Sequence, residues 1–248
     1  MARSSAAGVF PAVLVLCMAA VLVPSAASAG ESEKRLTRVV AEYLISARAV
    51  IADNQALIND ASKGDKRFTP ERYEEQVRKE FEGRSKVDIK KLKASTTDVF
   101  ASSLLVLHQS AMEVVAQFQQ RLNSPGAGFK GVHPAVFGAR IGQELYKRSD
   151  IRLKQTSLNY RATYNKPDDF EAAVLRTFES ATKAEPYYEE TFLDGKRVAR
   201  YLAPLFITKA CVACHGDPAG ELDVTGRAKE GYKEGMLRGA ISVVVPIR

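Results

Sequence analysis

The sequence is poor in the residue types that most often carry metal and redox chemistry. Its 248 residues include three cysteines, three histidines, four methionines and no tryptophan. Lys and Arg exceed Asp and Glu by 36 to 29, but the charges are mixed along the chain and form no basic stripe with interleaved aromatic residues. This pattern gives no indication of a nucleic-acid partner. The few cysteines and histidines are therefore the residues whose positions are most informative.

The first 29 residues have the layout of a secretory signal peptide. Arg3 precedes the apolar run "VFPAVLVLCMAAVLV", and Ala27-Ser28-Ala29 is a small-x-small cleavage site. The alternative, an uncleaved membrane anchor, is disfavoured because the run is short for a span of ~20 residues. We expect cleavage between Ala29 and Gly30 and a periplasmic mature chain. We expect no transmembrane segment in that chain, since no second apolar run approaches spanning length.

Cleavage would leave two cysteines, Cys211 and Cys214, because Cys17 lies inside the predicted signal peptide. Exported proteins usually hold their cysteines as disulfides. Two cysteines three positions apart, however, would close too small a loop to restrain the unfolded chain usefully. These two thiols are therefore expected to serve another purpose.

The two cysteines belong to the segment Cys211-Val212-Ala213-Cys214-His215, which has the C-x-x-C-H pattern of c-type haem attachment. Two thiols on about one helical turn can reach the two vinyl groups of one porphyrin and form thioethers. The adjacent His215 can then bind the iron from beneath the ring. The motif predicts one covalently bound haem c, with Cys211 and Cys214 as attachment sites and His215 as an axial ligand.

Three other interpretations of the motif stay open at this point. A zinc site would need four ligands, typically in two separated pairs, and His108 and His133 are the only other histidines. A thioredoxin-like dithiol would lie at a helix start in a βαβ context, whereas the neighbouring segments read as antiparallel strands. The third interpretation is a chance match. The predicted export, the lack of other cysteines and the following Gly216 favour haem.

The sixth coordination position of the iron has two histidine candidates. His133 lies at the start of a proline-initiated helix, after the glycine-rich "SPGAGFKGV", and a ring there can face a pocket. His108 lies on a long helix, where a lone histidine is more often a core-edge or surface residue. An open, water-bound or otherwise ligated iron is the third alternative.

Haem propionates usually need hydrogen-bond donors from the protein. Arg161 and Lys154, with Tyr160 at the haem edge, are the candidates that lie near the first predicted strand. The alternative interpretation of these three residues is that they are solvated residues at strand ends.

The first half of the chain reads as helical. The segment "EKRLTRVVAEYLISARAVIADNQALIND" has apolar residues at helical spacing and no Gly or Pro. Thr69 followed by Pro70 predicts the start of a second helix. Ser95 or Thr96 is the predicted N-cap of a third, and "HPAVFGARIGQELYKRS" predicts a fourth.

The second half reads as an antiparallel sheet with one helix. "IRLKQTSL" alternates like a strand, Asp194-Gly195 between two β-rich runs predicts a hairpin, and "MLRGAISVVVPIR" predicts a buried last strand. "KPDDFEAAVLRTFESAT" predicts the helix. The fold class is therefore α+β. We expect a helical part over residues 30–150 and a sheet part over residues 151–248, forming one continuous domain.

The helical part also shows an internal similarity. A shift of 64 residues places the segment 50–90 on 114–154 without a gap, and eleven of the positions are identical. The unit is a helix, a glycine-containing loop, a proline-started helix and a short apolar segment. This similarity suggests a duplication; two unrelated helical hairpins are the alternative.

These segments together resemble a bacterial family of exported single-haem proteins, long catalogued as a domain of unknown function. The resemblance rests on "ARAVIADNQALINDASKGDKRFT", "GFKGVHPAVFG", "LKQTSLNYR", "NKPDDFE", "ACVACHG" and "KEGMLRGAISV". It implies a PAS-like antiparallel sheet preceded by long helices, with the haem held against the sheet by Cys211, Cys214 and His215. Some relatives take a cysteine before the first strand as the second axial ligand; this sequence has none there, and His133 lies in that region.

The leading hypothesis is a periplasmic single-haem c-type protein that senses redox state or small ligands, or transfers electrons. Some relatives in the resembled family are sensor modules of kinases or chemoreceptors. This chain ends at Arg248 after its last predicted strand, so a signal would pass to a separate partner protein. The alternative is a haem enzyme, peroxidase-like or processing NO or nitrite, with His108 or His133 as distal acid or base. A zinc-stabilised binding module is a third hypothesis.

Overall fold

The computed structural model of the chain describes Met1, residues 26–126 and residues 128–247. The greater part of the predicted signal peptide, residues 2–25, lies outside the described residues. The described chain is α+β, as predicted, with a four-stranded antiparallel sheet. Its helices are α1 (Ala26–Asp53), α2 (Gln55–Ile58), α3 (Pro70–Ser85), α4 (Val99–Leu122), α5 (Pro134–Arg148), α6 (Asp169–Ser180) and α7 (Lys209–His215). Its strands are β1 (Arg152–Thr156), β2 (Tyr187–Leu193), β3 (Lys196–Phe206) and β4 (Leu237–Pro246).

Side-chain caps fix the starts of several helices. The Thr69 hydroxyl accepts a hydrogen bond from the backbone N–H of Arg72, which confirms the predicted start of α3. The predicted N-cap of α4 at Ser95 or Thr96 is wrong, because Asp98 caps this helix. A carboxylate accepts the orphan N–H groups of a first turn at least as well as a hydroxyl, and Asp98 is the last cap-forming residue before the apolar run.

The sheet has the strand order β1-β4-β3-β2 with every neighbouring pair antiparallel. The predicted hairpin joins β2 to β3. Asp194 and Gly195 at its turn have φ angles of 53° and 76°, the left-handed values that a two-residue type I′ turn needs. Helix α6 lies between β1 and β2 in the sequence, and α7 between β3 and β4.

Helices cover both faces of this sheet. The larger core joins one sheet face, including Leu153, Tyr201 and Ile241, to apolar residues of α1, α3, α4 and α5. A smaller core packs α6, through Leu175 and neighbouring residues, against Leu202 and Ala240 on the other face. The predicted helical part and sheet part thus share the larger core.

The two units of the predicted 64-residue repeat form equivalent hydrogen bonds to each other, each unit donating to the other at the corresponding position. The Asn59 side chain accepts from the backbone N–H of Lys130, and the Asn123 side chain accepts from that of Lys66, both at 2.9 Å. Asn59 and Asn123 are one repeat length apart, and so are Lys66 and Lys130. A second reciprocal pair joins the side chains of Gln55 and Gln119 to the carbonyls of Val132 and Phe68. Whether the two units arose by duplication stays a prediction.

Helix α4 revises one expectation from the sequence. By length and composition it is apolar enough to cross a membrane, so a second run of spanning length does exist in the chain. Core helices of soluble proteins meet the same criterion, and α4 buries residues such as Leu104, Leu107 and Val114 in the larger core.

Candidate functional site

The short helix α7 carries the C-x-x-C-H motif on one face. Residues at positions i, i+3 and i+4 of a helix are neighbours on its surface, so Cys211, Cys214 and His215 point the same way. Both cysteines are free and partly buried, and burial raises the pKa of the Cys214 thiol. Gly216 ends the helix with a 2.8 Å hydrogen bond to Val212 O, where a Cβ would overlap Val212.

A carboxylate fixes the imidazole of His215. Its Nδ1 lies 2.8 Å from Oε2 of Glu230. Burial alone would raise the pKa of Glu230, but hydrogen bonds from Arg161 and His215 lower it, so the group is an ionised acceptor at neutral pH. Burial lowers the pKa of His215. The neutral ring must then carry its proton on Nδ1, which leaves the lone pair of Nε2 free for a metal.

Arg161 links several parts of the site, and each nitrogen of its guanidinium donates to at least one protein acceptor. Its guanidinium donates to both oxygens of Glu230 at 2.6 Å and to Oδ2 of Asp223 at 2.6 Å. It also donates to the carbonyls of Cys214 and Ala228 at 2.7 and 3.0 Å. One side chain from the β1–α6 connection thus links the end of α7 to the loop that supplies the carboxylates.

The motif opens onto a cavity of about 270 Å³ between the sheet, α1 and the start of α5. The cavity brings together six residues that the sequence predicted to belong to the site: Tyr160, Arg161, His133, Cys211, Cys214 and His215. These residues come from three separate parts of the chain. The fold therefore places most of the predicted site residues around one volume.

Of the predicted site residues that line the cavity, His133 lies farthest from the motif in sequence. It occupies the N-cap position of α5, but its side chain makes no capping hydrogen bond. The ring instead stacks on Phe129, with 6.1 Å between centroids and 20° between planes. Burial lowers the pKa of His133 to about 4, so at neutral pH it is an uncharged imidazole available as a ligand.

Two predicted residues lie away from the cavity. The ammonium of Lys154 pairs with Glu171 at 2.8 Å and borders a different pocket, beside α6. His108 lies in the helical core, where its Nδ1 is 2.8 Å from the Tyr43 hydroxyl. Tyr160 lines the cavity with about 39% of its surface exposed.

Sequence reasoning identified Arg161 but missed the other charged residues that surround the motif. Among the described residues, no carboxylate lines the cavity. Four arginines do so: Arg48, Arg161, Arg227 and Arg238. Glu230 and Asp223 lie behind this lining, joined to Arg161. The segment "ARAVIADNQALI" around Arg48 contributed to the resemblance, but nothing in its helical pattern marks which face carries function.

No group of three or more His, Cys, Asp and Glu side chains in the described ranges is arranged to hold a metal ion.

Comparisons with known proteins identify the family of the chain. No curated protein and no solved structure matches the chain. The family model described as Tll0287-like matches residues 26–246, which is nearly all of the chain beyond the predicted leader. The chain therefore belongs to the Tll0287-like family.

Proposed function

We propose that this protein is a periplasmic, single-haem c-type protein whose role is electron transfer or redox sensing. Cys211 and Cys214 would hold the haem through thioethers, and His215 and His133 would be the two protein ligands of its iron. The observation that carries the proposal is that His133 lines the same cavity as the C-x-x-C-H helix, although 78 positions separate it from Cys211.

The donor chemistry of the site fits a covalent haem. Cys211 and Cys214 would each add across one vinyl group, sulfur bonding to one carbon and hydrogen to the other, so the attachment would need no oxidant. The thiols lie on one helix face with the histidine beside them. An iron held in a porphyrin needs one or two protein ligands, and His215 and His133 are both neutral imidazoles at pH 7.

The surface of the cavity fits the same group. Its volume of about 270 Å³ lies just below the ~300–1,000 Å³ of small-molecule pockets, so a haem bound there would keep one edge in solvent. Tyr164 and Val224 line it while about 48% and 61% exposed. An apolar ring lying against these side chains would remove their surface from water.

When bound, the haem supplies a one-electron iron couple. The roles of the protein's own residues follow from the geometry. Glu230 accepts a hydrogen bond from the Nδ1–H group of His215 and keeps that ring oriented and electron-rich. His133, held by Phe129, would supply the second ligand to the iron, and two strong fixed ligands would favour electron transfer over binding of an external ligand.

The fold and location belong to the same proposal. We propose that the four-stranded antiparallel sheet with helices on both faces is PAS-like and that the attachment helix α7 holds the haem beside it. We propose export through the predicted leader. Exported proteins usually pair their cysteines as disulfides, but Cys211 and Cys214 are unpaired, and covalent attachment of haem outside the cytoplasm would account for this difference.

Expression with and without the c-type maturation machinery tests the proposal. The wild-type protein should acquire the mass of one haem and a Soret band that survives denaturation and acid–acetone extraction. Cys211→Ser with Cys214→Ser should acquire no covalent haem. A wild-type chain that carries no haem after co-expression would overturn the proposal and would favour the zinc-binding alternative. A loaded protein that turns over peroxide faster than free haem would favour the enzyme.

A further inference from the structure

Arg48 is an arginine of the cavity wall without a partner. It lies on α1, and its guanidinium makes no hydrogen bond or ion pair with any described residue. Its Nε is shielded from solvent and has no acceptor. Burial lowers the pKa of Arg48 to about 10, so the group is still a cation at neutral pH. A buried, unpaired cation is costly, and such groups are normally paired.

The position of Arg48 is fixed by packing. A Cβ added at Gly138 of α5 would lie 3.2 Å from Cδ of Arg48 and 3.4 Å from its Cγ. The glycine therefore lets the arginine stem pass close to the α5 backbone. The chain thus holds the guanidinium in the wall although no group in the described structure neutralises it.

The charge around the cavity shows the same imbalance. Four arginines form the lining, and the two carboxylates behind it, Asp223 and Glu230, are both engaged by Arg161. Arg238 donates to Ser157 Oγ and Asn159 O, but its only carboxylate contact among the described residues is Glu230 at 3.6 Å, and its own Nε is buried without an acceptor. The cavity therefore has an excess of positive charge that a ligand with carboxylates would balance.

We infer that Arg48 binds a carboxylate inside the cavity and, resting on the proposed function, that this carboxylate is a propionate of the haem. Arg161 is less suited to this role because its donors are already bound to protein groups. Lys154 borders a different pocket. A planar guanidinium can bind a carboxylate through two parallel hydrogen bonds, and Arg48 has this capacity unused.

Thermal unfolding of four proteins tests the inference: wild type and Arg48→Met, each with covalent haem and haem-free. Without haem, Arg48→Met removes an unpaired buried cation, so the unfolding temperature should rise by on the order of 3 °C. With haem, the same change removes the partner of a carboxylate, so the temperature should fall by a similar amount. Shifts of the same sign and size in both forms would overturn the inference.

Arg35→Met is the matched control. Arg35 lies on the same helix, stacked 4.1 Å from the ring of Phe100 and outside the cavity lining. Its loss should change the unfolding temperature of the haem-loaded and haem-free proteins by equal amounts. If the haem-free chain does not melt cooperatively, the loaded pair decides, and an Arg48→Met protein as stable as wild type would overturn the inference.

Sodium propionate distinguishes the two sources of the carboxylate. It should raise the unfolding temperature of the haem-free wild type but not of haem-free Arg48→Met, and it should have no effect on the loaded wild type. Equal stabilisation of the loaded and haem-free forms would overturn the haem as the source. If the wild type takes up no haem, the proposed function fails independently of this inference. If sodium propionate also leaves the unfolding temperature of that haem-free chain unchanged, the carboxylate site is overturned as well.

Discussion

Nδ1 of His215 lies 2.8 Å from Oε2 of Glu230, and Arg161 donates to both oxygens of the same carboxylate. Glu230 is 15 positions after His215, in the loop between α7 and β4. A hydrogen bond from the Tyr232 N–H to the His215 carbonyl, 2.8 Å long, holds that loop against the motif. The imidazole is thus fixed by one ionised acceptor whose own position is fixed by an arginine.

Glu230→Gln should raise the reduction potential of the loaded protein. An ionised acceptor on Nδ1 makes the imidazole a stronger electron donor, which favours ferric over ferrous iron. A charge-assisted hydrogen bond exceeds a neutral one by about 1 kcal/mol, which for one electron corresponds to a rise of some tens of millivolts. Optical redox titration of the Soret band measures the shift.

Glu221→Gln serves as the control for this change. Glu221 is in the same loop and pairs at 3.0 Å with Lys229, with about 54% of its side chain exposed. Its substitution should leave the potential unchanged. A potential that stays the same or falls in Glu230→Gln would show that Glu230 does not act on the iron through His215.

Arg161→Ala should be among the most destabilising substitutions at the site. The Asp223 side chain is fully buried, and its Oδ2 accepts from Arg161. Removal of the guanidinium would leave this carboxylate buried without its counter-charge, at a cost of about 3–5 kcal/mol in the free energy of unfolding. Urea unfolding of the haem-free chain measures the loss. Arg152→Ala breaks an exposed pair with Asp194 and should cost less than about 1 kcal/mol; equal costs would refute the role of Arg161.

The same ion pair should make stability depend on pH below about 5. Burial alone would raise the pKa of Asp223, but hydrogen bonds from Thr225, Arg161 and Arg227 hold it far below its ordinary value. A carboxyl with a depressed folded pKa stabilises fully above its unfolded pKa of ~3.9, and this contribution is lost as the pH falls towards the folded value.

The stability difference between wild type and Asp223→Asn should therefore be large at pH 7 and shrink towards pH 3. Urea midpoints measured across this range give the difference directly. Asp194→Asn, which alters an exposed pair, should show a small difference throughout. A difference between wild type and Asp223→Asn that is constant with pH would contradict the assignment of Asp223 to a charged pair.

Local signals in the sequence were sufficient for the long helices and for the strands. The Asp194-Gly195 turn and the Thr69-Pro70 helix start each depend on a few adjacent residues, and each appears in the structure. The start of α4 was misplaced because several cap-forming residues precede it. The geometry at Asp98 selects one of them, and periodicity alone does not.

The surroundings of the site depend on contacts between distant segments, which local patterns do not encode. The C-x-x-C-H motif indicates its own chemistry, and the position of His133 at a helix start suggested a ring facing a pocket. Arg48, however, reaches the cavity only because α1 packs against α5 at Gly138. The role of Glu230 likewise depends on how the loop after α7 folds back onto His215.

Optical spectra of the oxidised, reduced and CO-treated loaded protein, recorded for wild type, His133→Ala and His108→Ala, test the axial pair. We predict that the wild type is low-spin and that CO leaves its spectrum unchanged. His133→Ala should become high-spin and bind CO, and His108→Ala should have the spectrum of the wild type. His108 is the matched control because it is the other histidine outside the motif and hydrogen bonds to Tyr43 away from the cavity. A wild type that binds CO readily, or a His133→Ala spectrum unchanged from wild type, would contradict the proposed ligation by His215 and His133.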